Sequence, residues 1–131
     1  MIAVFDNFIQ DGELLEEIRD NYSNIFRDPG VYKYYNGWWN TPAKNTTQRI
    51  IQYAWGEGCP ISKSFSIDGF EYWTGIQSAK EQDKVWADDL PIHFDKDEAW
   101  WKETGEIVTP VIGSVYYPEG QDFDGGELAI Y

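Results

Sequence analysis

Two kinds of apolar spacing divide this chain, and their order limits the folds open to it. From Asp11 to about Phe26, residues Leu14, Leu15, Ile18, Tyr22, Ile25 and Phe26 fall on one helical stripe. Asp11 suits the N-cap, and Glu13, Glu16 and Glu17 sit near the positive end of the helix. Asp28-Pro29-Gly30 breaks it. Thr46 or Thr47 predicts the cap of a second helix running through Trp55, ended by Gly56 and Gly58. From Phe65 onward the signals are those of strands. Phe65 to Ile67, Phe70 to Ile76, Leu90 to Asp95, Ile107 to Tyr117 and Gly126 to Tyr131 are short, β-prone and bounded by turn residues. Ile2 to Ile9 predicts an opening strand and turn, Val31 to Pro42 an aromatic irregular stretch, and Asp97 to Thr104 one or two helical turns. Helices first and strands afterwards predict an α+β or mainly-β layered domain with helices on one side. The spacing of the strands suits a sandwich or jelly roll.

A chain of 131 residues fits one domain spanning 1–131, with no repeat or linker to divide it. Asp and Glu number 23 against 10 Lys and Arg, a net charge of −13. Such a surface disfavours binding to a nucleic-acid backbone and favours cations, divalent metals included. The plainer reading of the same charge is solubility. A single cysteine, Cys59, excludes an internal disulfide and fits a reducing compartment. No apolar run is long enough to span a bilayer and no leader pattern opens the chain, so no membrane partner and a cytoplasmic location are expected.

The chemistry concentrates at His93-Phe94-Asp95, where His93 is the only histidine. On a strand, residues two apart share a face, so an extended H-x-D triplet aims an imidazole and a carboxylate at one point. These are two parts of the facial triad of two histidines and one carboxylate that holds non-haem Fe(II). The competing reading is a lone histidine satisfied by a carboxylate, without metal. The other patterns carry less. Tyr32, Tyr34, Tyr35, Trp38 and Trp39 suit either a recognition face or a cover for the sheet. Gly125-Gly126 reads as a tight turn.

Downstream of the triplet come Gly113-Ser114-Val115-Tyr116-Tyr117-Pro118 and then Phe123-Asp124-Gly125-Gly126-Glu127-Leu128. In this order the segments resemble the Fe(II)/2-oxoglutarate-dependent dioxygenases of the prolyl-4-hydroxylase-like branch. Val4-Phe5-Asp6-Asn7-Phe8 before an acidic helix is similar to that branch as well. The resemblance implies a double-stranded β-helix with N-terminal helices, and His93 and Asp95 as two iron ligands. It also implies Tyr117 as a tyrosine that binds the distal carboxylate of 2-oxoglutarate. Tyr72, on the strand before the triplet, is a second candidate for the cosubstrate cavity, with core packing as its ordinary alternative. The implied cofactors are Fe(II), 2-oxoglutarate as cosubstrate and ascorbate as a candidate accessory. The implied reaction is hydroxylation of a peptidyl prolyl, an amino acid or another small substrate.

The chain departs from the family pattern after Asp95, where it holds no histidine and no arginine. The expectation is therefore a jelly roll incomplete at its C-terminal side, lacking the last strands and the third ligand. Such a chain would be inactive alone and prone to self-association through unpaired strand edges. The alternative function is a non-catalytic, aromatic-rich interaction fragment with a vestigial H-x-D. A small acidic cupin-like protein holding another divalent metal is a third. Glu127 as a substitute ligand is a further option.

Overall fold

The computed structural model describes residues 3–57, 66–75 and 95–118. The chain divides into two compact units, Met1–Gly75 and Ile76–Tyr131.

In the first unit, Asp11 is the N-cap of α1 (Gly12–Asp20), its carboxylate accepting from the N–H groups of Glu13 at 2.9 Å and Leu14 at 3.1 Å. Leu14 and Ile18, one helical turn apart, are buried, and α1 packs on α3 (Thr46–Gln52). Burying a side chain of this kind is worth about 1.5–3 kcal/mol. The stripe does not continue as one helix to Phe26. The backbone N–H and side-chain amide of Asn21 both donate to the Glu17 carbonyl, at 3.0 and 2.9 Å, which closes α1. A separate turn, α2 (Tyr22–Ile25), follows.

Strand β1 (Lys33–Tyr35) forms inside the stretch expected to be irregular. It pairs antiparallel with β2 (Phe70–Tyr72), Lys33 opposite Tyr72 and Tyr35 opposite Phe70. Along β1, Tyr34 is 65% exposed and Tyr35 only 3%, the alternation of a half-buried strand. The Gly30 N–H donates to the Thr74 carbonyl at 2.7 Å and extends the link between the two segments. Asn45, one residue before the expected Thr46 or Thr47, caps α3 (Thr46–Gln52), accepting from the Gln48 N–H at 2.9 Å. A π-turn over Tyr53–Glu57 follows.

The aromatic residues build one cluster about Phe70. Tyr35 and Trp38 stack on it at 6.3 and 5.9 Å between ring centroids, and Trp39 and Trp55 meet it at 6.0 and 6.2 Å. The segment Tyr32 to Trp39 is divided between the sheet cover and the surface. Tyr35 and Trp38 cover the sheet, while Tyr32, Tyr34 and Trp39 stay exposed.

In the second unit, α4 (Glu98–Thr104) is capped by Asp97 and ends at Gly105, whose φ of 75° is the left-handed conformation of a helix C-terminus. The expected span, Asp97 to Thr104, is met.

The fold expectation is overturned. Among the described residues there are four helices and one two-stranded antiparallel sheet, with no jelly roll and no mainly-β architecture. The reason is pairing. A β-prone segment becomes a strand only beside a partner. Residues 107–117 contain no strand, and Pro110 within them has no N–H to give a ladder. Ile107, Val108, Val111 and Val115 are exposed rather than packed on a second sheet. Residues 3–9 likewise form a turn at Asp6-Asn7, with Asn7 at φ 48°, in place of the opening strand. The expected strand from Leu90 to Asp95 lies, up to Phe94, outside the described residues, as does the whole of Gly126 to Tyr131.

Candidate functional site

His93 lies outside the described residues, so its half of the triplet has no described geometry. Asp95 is described and exposed. Two residues on, the Asp97 N–H donates to the Val108 carbonyl at 2.8 Å, which ties the end of the triplet segment to the stretch leading into Gly113–Pro118. A Cβ placed on Gly113 would stand 3.7 Å from the Asp95 carboxylate oxygen Oδ2. The carboxylate and the glycine that opens the tyrosine-bearing segment are thus neighbours. Tyr117 belongs to the same unit and is 54% exposed.

Lys96 and Glu98 pair at 2.7 Å, and the Lys96 ammonium stands 4.6 Å from the centroid of the Trp101 ring. The Lys96 charge is thereby held on the α4 side of Asp95, by Glu98 and Trp101 together. Among the described residues, no three His, Cys, Asp or Glu side chains converge to hold a metal ion. Asp95 offers an oxygen donor of the kind Fe(II) accepts, so the donor chemistry fits as far as it is described.

Tyr72 sits on β2 in the first unit, half-buried. Its hydroxyl accepts from the Gln48 side-chain amide at 3.4 Å, and the Gln48 carbonyl oxygen accepts from the Lys44 backbone N–H at 2.9 Å. Tyr72 also lines a cleft of about 400 Å³ shared with Glu17, Lys33, Lys44, Thr47 and Trp73. Sequence patterning gave no sign of this cleft, because β1, which carries Lys33, is recognisable only once it is paired with β2.

Burial pushes the Tyr35 phenol above the ordinary tyrosine range, and its hydroxyl donates to the Thr41 carbonyl at 2.9 Å. It is a core residue, not a site residue. No helix among the described residues is long and apolar enough to cross a membrane. No family model, curated protein or solved structure matches the chain.

Proposed function

We propose that this chain is part of an Fe(II)/2-oxoglutarate-dependent oxygenase, with His93 and Asp95 as two of the iron ligands. The observation that carries the reading is the order of three motifs along the sequence: His93-Phe94-Asp95, Tyr116-Tyr117, and Gly125-Gly126-Glu127. The closeness of Gly113 to the Asp95 carboxylate supports it, since it sets the last residue of the first motif beside the glycine that precedes Tyr116-Tyr117. Asp95 supplies a carboxylate donor and His93 an imidazole donor. The Tyr117 hydroxyl, on an exposed side chain, steadies the distal carboxylate of 2-oxoglutarate by donating to it. Tyr72 is assigned instead to the cleft of the first unit, where Gln48 engages its hydroxyl. Iron, when bound, would let dioxygen act as the oxidant, one oxygen atom going to the C–H bond as a hydroxyl and the other to succinate as 2-oxoglutarate loses CO2. The substrate is a peptidyl prolyl, an amino acid or another small molecule. Because His93 is the only histidine, the third ligand is not a second histidine of these 131 residues.

The test is succinate formation from 2-oxoglutarate with Fe(II) and ascorbate, by this chain and by any longer version that carries a second histidine. Turnover by the longer version that disappears in His93→Ala and in Asp95→Ala is expected. Turnover that survives both substitutions contradicts the reading.

A second reading, an interaction module without catalysis, is favoured by the exposed aromatic residues. Tyr32 and Trp73 pair at 5.1 Å between centroids, and both remain exposed. Absence of turnover in every version, with the fold intact, would favour it.

A further inference from the structure

We propose that the cleft of the first unit binds a small organic carboxylate, held by the Tyr72 hydroxyl and the Lys44 ammonium with its body against Trp73. The inference goes beyond the oxygenase reading and includes neither His93 nor Asp95.

It begins with the proton of Tyr72. The Gln48 carbonyl oxygen accepts from the Lys44 N–H, so the NH2 end of the same amide is the one facing Tyr72. The Tyr72 oxygen is therefore an acceptor toward Gln48, and its own O–H is left to donate elsewhere. Among the described residues no acceptor takes that proton, and Tyr72 is one of the residues lining the cleft. Charge points the same way. Of the ionic groups lining the cleft, Glu17 is paired with Arg49, and Lys33 stands 3.5 Å from Asp28. Lys44 has no ion-pair partner among the described residues, which leaves one positive charge in a cleft of a chain with net charge −13. A hydroxyl donor and an unbalanced ammonium on residues lining one cleft select an anion with more than one acceptor oxygen. Trp73, exposed on the rim and backed by Tyr32 at 5.1 Å, offers an apolar wall. A volume of about 400 Å³ lies within the small-molecule range.

The experiment is titration of the isotope-labelled chain with phenylacetate, free of added metal, followed by amide and indole N–H correlation spectra. Sodium chloride and inorganic phosphate at equal ionic strength are the comparisons. Saturable shifts at the Trp73 indole and at the amides of Lys44 and Thr47 are expected with phenylacetate alone. Tyr72→Phe is expected to weaken binding about tenfold, as for a hydrogen bond to a charged acceptor. Lys44→Gln is expected to weaken it about three- to fivefold, as for an exposed ion pair. Lys102→Gln, in the other unit, is expected to leave it unchanged. Absence of saturation, equal or tighter binding of phosphate, indifference to both cleft variants, or an equal loss in Lys102→Gln each overturns the proposal. Because no metal is present, failure here leaves the iron reading untouched, and failure of the iron reading leaves this one untouched.

Discussion

Asp97 and Val108 are joined by a backbone hydrogen bond of 2.8 Å from the Asp97 N–H to the Val108 carbonyl, at the residue whose carboxylate also caps α4. One residue thus fixes the exit of the H-x-D segment twice, through its backbone to Val108 beyond α4 and through its side chain to the Trp100 N–H. A helix of seven residues has little stability of its own, so its cap weighs heavily. Asp97→Ala is expected to cost about 1 kcal/mol of local stability, and Asp97→Asn a few tenths. Amide hydrogen exchange checks this. Protection of the Trp100 amide should fall in the alanine variant while that of the Asp97 position is kept. Unchanged Trp100 exchange would contradict the cap.

Gly69 precedes β2 and is expected not to tolerate a side chain. A Cβ there would overlap the Tyr34 hydroxyl and approach the Tyr35 backbone carbonyl to 2.9 Å. The tyrosine ring is exposed and can move, but the carbonyl belongs to the paired strand and cannot. Gly69→Ala should destabilise the first unit by about 1–3 kcal/mol, the range for overpacking. Adding Tyr34→Ala should not restore it. Urea denaturation of both variants measures this, and full rescue by the second substitution would show that the backbone contact is not limiting.

Stability should decline at alkaline pH through Tyr35. Burial raises its folded-state pKa above the unfolded value, so between the two the unfolded chain has lost a proton that the folded chain keeps. The contribution is fully present below about pH 10, the unfolded value, and is lost as pH rises through the folded one. Tyr35→Phe should remove that part of the decline, at a cost of about 1 kcal/mol at neutral pH for the lost hydrogen bond to Thr41. Urea midpoints measured at neutral and alkaline pH for both proteins test the sign. An equally steep decline in the variant would assign it to other groups.

What was legible beforehand was local. Asp11 announces α1 because an N-cap and an apolar stripe are encoded within a few neighbouring residues, and Asp97 announces α4 in the same way. Asn45 displaced Thr46 as a cap because all three residues are good caps and only the backbone conformation decides. Strand β1 was hidden because Tyr32, Lys33, Tyr34 and Tyr35 do not alternate in hydropathy, and the strand exists through pairing with residues far along the chain. The same dependence on pairing works in the opposite direction at 107–117, where β-branched residues suggest a strand that finds no partner among the described residues. For the candidate site, Asp95 and the neighbourhood of Gly113 are in view, whereas His93 lies outside the described residues. Tyr72 is legible as a cavity candidate, yet the cleft that it lines is shared with Glu17 and Lys44, which no short-range pattern connects to it.

The most direct measurement is anaerobic titration of the chain with Mn(II) as a stand-in for Fe(II), by calorimetry, in parallel with His93→Ala and Asp95→Ala. Two protein ligands with water in the remaining positions predict weak binding, poorer than about micromolar. Each substitution should weaken it further by at least about tenfold, the least that even outer-shell partners of a metal are worth. Affinity for Mn(II) that is the same in the original chain and in both variants would contradict the assignment of His93 and Asp95 as a metal-binding pair.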